Sequence, residues 1–307
     1  MFRSPRSAEE VHSRAGAAVT AEGLGVRGPR GWAFRDVSVA AEPGDLLAVV
    51  GPSGSGRTCL LLALTGRMRI AAGRAEVAGL QLPRQMAAVR RVTGLGPVPG
   101  VSDLEPALTV AEQLHERALL ARRFDGPVRG LFRPRRERAA ASRARIEDAL
   151  HRVGLELTEL PKGPRTAVRD LERLEALRLS VALALIGAPR LVAVDDLDLK
   201  LGPDDRERAW SLLRDVADGG TTVLAVCSEP PPGAVVVSTA PAERGAAADG
   251  AERAEAATQP GPQAGARAKT ETQPGTALHT PAARHAGHRD QASDEGTCDA
   301  IAEAGRA

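Results

Sequence analysis

The sequence predicts an α/β fold with a mostly parallel core sheet, an antiparallel β layer beside it and a helical insertion. Three observations carry that expectation. Continuous apolar runs at 46–50 and 191–194, and the β-branched and apolar stretch at 221–226, recur between helical stretches, the pattern of strands buried on both faces. The first of these runs leads into a glycine-rich turn and then a helix. Two strand-like stretches precede it, which suggests a separate antiparallel layer.

In order, residues 1–16 are polar and expected to be flexible. Ala17–Val26 alternates as a strand, Gly28–Gly31 is a turn, and Trp32–Val39 reads as the next strand. A second turn, Glu42–Asp45, leads to the buried strand Leu46–Val50. A helical run from Cys59 follows the glycine-rich turn, and Gly73–Gly79 is a further short strand and turn. From Val110 to Leu160 the pattern is largely helical. Val110, Leu114, Ala118 and Ala121 share one face, as do Ile146, Leu150 and Val153.

Between those faces lies a basic, proline-broken loop at 122–138. It reads first as a solvated arginine-rich loop or one contacting acidic helices of its own fold, with anionic lipid headgroups or a membrane partner's cytoplasmic face as the alternative. A helix over 176–187, the strand Leu191–Val194, a helix from Arg206 to Asp218 and strands at Thr221–Val226 and Val235–Val237 complete the fold. From about residue 241 Ala, Gly, Pro, Gln and Thr dominate, a composition that cannot bury a core and predicts a disordered tail to residue 307.

Composition narrows the function classes. The net charge of +2 over 307 residues implies no polyanionic partner such as nucleic acid. Arginine outnumbers lysine, which occurs only at 162, 200 and 269, as in a GC-rich genome. Cys59, Cys227 and Cys298 form no C-x-x-C pair, so neither a disulfide framework nor a zinc site is expected. No signal peptide and no membrane-length apolar run is legible, which predicts a cytoplasmic chain.

The chemistry concentrates in Gly51-Pro52-Ser53-Gly54-Ser55-Gly56-Arg57-Thr58. Strand, glycine-rich turn and helix make a phosphate-binding loop (P-loop). Glycines let successive N–H groups converge on an anion, and the helix N-terminus adds its positive dipole end. Thr58 offers a hydroxyl to a Mg²⁺ on the phosphates, and Cys59 continues the loop into the helix. Arg57 stands where the motif wants lysine, so nucleotide binding is expected to survive in weakened form and hydrolysis to suffer more. A bare glycine-rich turn is the alternative. The strand ending in Asp195 supplies the second half: a carboxylate at the C-terminal end of a strand beside the loop, placed to hold Mg²⁺. Asp196 follows, where a general base for the attacking water can sit.

With these motifs the chain, over about residues 17–240, resembles the ATP-binding cassette (ABC) ATPases. Phe34–Val39, Pro43-Gly44-Asp45, the loop at 51–58, Gly73–Gly79, Leu108-Thr109-Val110 and the run from Val168 to Asp196 carry the resemblance. It implies a P-loop NTPase fold of the ABC type, with a helical subdomain at about 110–187. It also implies ATP and Mg²⁺ as cofactors, a second cassette as dimer partner, and a separate membrane permease that would hold the chain at the inner face of the membrane. The departures fall on chemistry. The glutamine loop has Pro97 or Val98 in place of glutamine. The signature becomes Leu171-Glu172-Arg173-Leu174-Glu175, whose carboxylates repel phosphate. The second Walker B carboxylate shortens to Asp196, the D-loop aspartate becomes Gly202 and the switch histidine becomes Ser228. The adenine-stacking aromatic is off its usual place, Trp32 being the nearest candidate, with a structural Trp as the alternative.

Removing one transition-state contact costs about 10²–10³ in rate, so several departures predict slow hydrolysis over a retained binding set. The expected function is therefore an ATP-binding transporter subunit with weak intrinsic turnover, whose poor signature favours a heterodimer with a more complete cassette. A pseudo-ATPase that senses nucleotide or scaffolds, and another P-loop phosphotransferase, are the alternatives. No N-K-x-D motif supports a GTPase.

Overall fold

The computed structural model describes residues 16–240 apart from 30, 125–133 and 199–200. The expected N-terminal flexibility up to residue 15, the centre of the basic loop and the tail from 241 lie outside the described residues. Strands β1 (Val19–Gly28), β2 (Gly31–Ala41), β4 (Ala72–Val77) and β5 (Leu80–Leu82) form an antiparallel sheet in the order β2-β1-β4-β5. Strands β3 (Leu46–Val50), β6 (Thr93–Leu95), β7 (Leu191–Val194), β8 (Thr222–Val226) and β9 (Val235–Ser238) form the parallel sheet, ordered β6-β7-β8-β3-β9. This order brings the ends of β3, β7 and β8 side by side. Ligands in open parallel sheets bind at such ends.

The apolar runs are continuous because both faces of the parallel sheet are covered. Ala48, Val192, Val194, Val223 and Ala225 point into one core with helices α3 (Val110–Phe124), α4 (Arg135–Val153), α5 (Arg173–Leu185) and α6 (Pro203–Asp218). The alternating set Leu47, Val49, Leu191, Ala193, Leu224 and Val226 points into the other. There it meets α1 (Arg57–Leu64), α2 (Met86–Val92) and the antiparallel sheet.

Several boundaries differ from the sequence expectation, each for a local reason. Helices α3 and α4 run into the expected basic loop from both sides. A reciprocal Thr109–Glu112 pair starts α3: the Thr109 N–H donates to Glu112 Oε2 at 2.8 Å and the Glu112 N–H donates to Thr109 Oγ1 at 3.3 Å. The α6 helix starts at Pro203, because proline is preorganised for the first turn and Gly202 precedes it as N-cap. Helix α2 and strand β6 were not anticipated. They bring the chain back to the sheet edge just before Pro97.

Candidate functional site

The loop between β3 and α1 is shaped by close approaches. A Cβ on Gly51 would lie 2.5 Å from Thr239 Oγ1, and one on Gly56 would lie 2.6 Å from the Ala33 carbonyl. Gly56 has φ 84° as the N-cap of α1, a left-handed conformation that strains other residues. Ser55 Oγ and Thr239 Oγ1 are hydrogen-bonded at 2.6 Å, tying the loop to the end of β9. Helix α1 has no side-chain cap and no acidic residue in its first turn. Its first-turn N–H groups and dipole are therefore available to an anion.

Thr58 Oγ1 donates to Asp195 Oδ2 at 2.7 Å, which brings the two expected metal-binding residues together. The Asp195 backbone N–H donates to the Pro97 carbonyl at 2.9 Å, so Pro97 stands beside this carboxylate. Asp195 is 4% exposed. Burial pushes its carboxyl above the usual range, assisted by the Asp196 charge and opposed by the Thr58 hydroxyl and the Arg57 charge. Such a carboxylate gains from a nearby cation. One carboxylate and one hydroxyl form a partial set, suited to Mg²⁺, which keeps waters and phosphate oxygens among its ligands. Among the described residues no three His, Cys, Asp or Glu converge on a denser metal site.

Asp196 follows with φ 46°, and its N–H donates to Asp195 Oδ1 at 3.1 Å. Asp195 and Asp196 line a groove of about 380 Å³ with Pro97, Arg173 and Leu177. Arg57 Nη1 donates to the Cys227 carbonyl at 3.1 Å, and the Ser228 N–H donates to Asp198 Oδ2 at 2.7 Å. Cys59 is half-buried one residue beyond Thr58. Burial and then the Asp195 charge raise its thiol pKa. Trp32 is 41% exposed on β2, next to the Ala33 that faces Gly56. Arg35 and Arg27 lie 5.3 and 5.9 Å from its ring centroid, within cation–π range. Pro52, Ser53 and Gly54 are exposed at the loop tip.

The signature-like segment is built differently from the loop. Glu172 is the N-cap of α5; its side chain accepts from the Glu175 backbone N–H, and Glu175 Oε2 accepts the Glu172 N–H at 2.8 Å. Asp198, Cys227 and Thr239 were missed by sequence reasoning. Their roles rest on contacts across the sheet, and no local pattern marks them.

Comparison with known proteins points to one family. The ABC transporter family model matches residues 34–197. A probable anion import ATP-binding protein of Haloferax volcanii is 31% identical over 225 residues, spanning 72% of this chain and 75% of that protein. The Nod factor export ATP-binding protein I of Rhizobium etli is 29% identical over 188 residues, 61% of this chain and 53% of that protein. The daunorubicin resistance ATP-binding protein DrrA3 of Streptomyces coeruleorubidus is 30% identical over 210 residues, 68% of this chain and 60% of that protein. The chain thus spans between half and two thirds of the length of the last two.

Among solved structures, cbiO1 from Clostridium perfringens, part of the ABC transporter complex cbiONQ, superposes with a TM-score of 0.55 at 18% identity, covering 70% of this chain and 79% of that one. The ATP-binding cassette MJ0796 bound to ADP and Pi gives a TM-score of 0.52 at 18% identity, over 69% and 88% of the two chains. These structures share the fold. With the family model matching over more than half of its length and the P-loop lying against Asp195, the chain belongs to the ABC transporter family of ATP-binding proteins.

Proposed function

We propose that the chain binds Mg–ATP as the nucleotide-binding subunit of an ABC-type transporter, works with a separate membrane permease at the cytoplasmic face, and hydrolyses ATP slowly. The observation that carries this reading is the 2.7 Å bond between Thr58 and Asp195 at the uncapped N-terminus of α1. Backbone amides over 51–58 and the α1 dipole would cradle the phosphates, with Cys59 completing the first turn. Thr58 and Asp195 would hold Mg²⁺, which supplies charge neutralisation at the phosphate oxygens. Asp196 would orient and deprotonate the attacking water. Trp32, exposed on β2 beside the Ala33 that faces Gly56, would be the aromatic for the base. The ATP-binding domain is read as residues 17–240, with the helical part at about 110–187.

Slow turnover follows from what surrounds this core. Pro97 has no side-chain donor or acceptor, Ser228 replaces the switch histidine, and Glu172 and Glu175 occupy the α5 terminus. A second cassette with an intact signature is therefore the fitting dimer partner, because this chain's α5 offers carboxylates to a facing phosphate. The relatives' names include both an importer and an exporter, so neither transport direction nor substrate is part of the proposal.

The test is Mg–ATP titration and turnover on the purified chain. Micromolar binding with turnover well below about 1 s⁻¹ is the expected result. Turnover at or above that rate would overturn the slow-hydrolysis reading, and an absence of binding would overturn the reading as a whole. Binding that no membrane partner or second cassette alters would favour a nucleotide-sensing scaffold.

A further inference from the structure

We propose that Arg57 is a rebuilt phosphate contact seated on the Cys227–Ser228 peptide, and that Asp198 is the positioning residue that holds this peptide for it. The inference rests on the Mg–ATP reading above and concerns the residue that departs from the P-loop pattern.

Both polar groups of one peptide unit are engaged by charged side chains. Its carbonyl, on Cys227, accepts from Arg57 Nη1 at 3.1 Å. Its N–H, on Ser228, donates to Asp198 Oδ2 at 2.7 Å. A carboxylate on the N–H side polarises the peptide and makes its carbonyl a stronger acceptor, so the two bonds reinforce each other. The peptide cannot drift, because β8 is anchored on both sides. The Cys227 N–H donates to the Val49 carbonyl at 3.0 Å, and the Leu197 N–H to the Val226 carbonyl at 3.1 Å. The guanidinium is therefore fixed between the P-loop, the end of β8 and the loop after β7.

This arrangement suits arginine and not lysine. A guanidinium presents five N–H donors in a rigid fork. One bond to Cys227 leaves donors for phosphate oxygens while the side chain stays anchored. A lysine ammonium has three donors, but all sit on one nitrogen at the end of a flexible stem, so the Cys227 carbonyl and the phosphate oxygens would have to converge on a single point and the anchor would be weaker. The Arg57 charge also acts on both Asp195 and Cys227, which places it inside the site. The side chain at this P-loop position serves the β- and γ-phosphates, so its placement should bear on ATP more than on ADP.

The experiment is calorimetric titration of the full chain with Mg–ATP and with Mg–ADP, for wild type, Arg57→Lys, Asp198→Ala, Asp198→Asn and the double variant Arg57→Lys/Asp198→Ala. Arg57→Lys should weaken ATP about tenfold or more, the scale of a lost charge-assisted bond. Asp198→Ala should weaken ATP by about three- to tenfold while ADP changes by less than about twofold. Asp198→Asn still accepts the Ser228 N–H and should retain most of the affinity. The double variant should bind no more weakly than Arg57→Lys, because the coupling runs through one peptide.

Lysine binding ATP at least as tightly as arginine would overturn the proposal. So would equal losses for ATP and ADP in Asp198→Ala, or strictly additive losses in the double variant. Each of those results leaves the ATP-binding reading standing. Wild-type protein that binds neither nucleotide overturns that reading, and this one with it.

Discussion

Two helix N-termini in this molecule point in opposite chemical directions. Helix α1 begins at Gly56 with no side-chain cap and no acidic residue in its first turn. Helix α5 begins at Glu172 with a closed capping box: the Glu172 carboxylate accepts the Glu175 N–H of the first turn, and the Glu175 carboxylate accepts the Glu172 N–H. Both ends begin with backbone N–H groups that the helix itself leaves without an acceptor, and with the same positive dipole end. One is left for an anion from outside, and the other is satisfied by the chain's own charges. Under the proposed pairing with a second cassette, the difference would separate what this chain keeps for its own nucleotide from what it offers to a neighbour's.

The largest effect should come from closing the open terminus. A Cβ on Gly56 meets the Ala33 carbonyl at 2.6 Å, and φ at this position is 84°. Gly56→Ala should therefore weaken ATP by about a hundredfold or more and destabilise the fold by about 1–3 kcal/mol. Calorimetry and thermal unfolding would show both. Near-normal ATP affinity in this variant would mean that the α1 terminus is not where the phosphates sit.

The next effect separates stability from binding. Burial raises the Asp195 pKa, so keeping that carboxylate ionised costs folding free energy above its unfolded pKa. Asp195→Asn, which can still accept from Thr58, should raise the melting temperature of the nucleotide-free chain by roughly 1–4 °C at pH 7. It should weaken Mg–ATP about tenfold. A raised folded pKa means the penalty is absent below the unfolded pKa, grows as pH rises from there towards the folded pKa, and is complete above it. The stability gap between Asn and Asp should therefore close on acidification. A gap that widens on acidification would reverse the assigned cause.

The sequence made one half of this comparison easy to see. The P-loop and the Asp195 strand are local patterns in which spacing dictates geometry, and β3, α1 and β7 lie where that spacing puts them. The sequence also showed acidic residues at 172 and 175, but only as charges that would repel phosphate. Their role as a cap requires knowing that α5 starts at Arg173 and not three residues later. The Arg57 contact was not legible, because its partner is a backbone carbonyl 170 residues away. Asp198 was hidden for a similar reason, since it accepts a backbone N–H across the sheet end. Helix α2 is seven residues of alanine, valine, arginine and methionine, too short for a helical period to show.

A smaller effect probes the closed terminus. Glu172→Ala removes the N-cap acceptor and should cost about 0.5–2 kcal/mol of stability. The chain's own ATP affinity should stay within about twofold, because α5 takes no part in its P-loop. A clear loss of ATP binding in Glu172→Ala, with the fold intact by circular dichroism, would break the separation between the two termini.

The smallest effect is read at Cys59, two residues into α1 from Arg57. A thiol near a helix N-terminus ordinarily has a lowered pKa, because the dipole favours the thiolate. Here burial and then the Asp195 charge act the other way and raise it. Cys59 should therefore stay protonated at pH 8 and alkylate with iodoacetamide more slowly than a free cysteine, whose pKa is about 8.5. Asp195→Asn should speed that reaction by about two- to threefold, since only the secondary cause is removed. Cys59→Ala should shift ATP affinity by less than about twofold, because the side chain contributes apolar packing and no charge. Rapid alkylation of the wild type would mean that the positive helix end outweighs the carboxylate at this depth. The open terminus would then be strongly electropositive before any cation binds, and the pairing of Thr58 with Asp195 would count for less in preparing it.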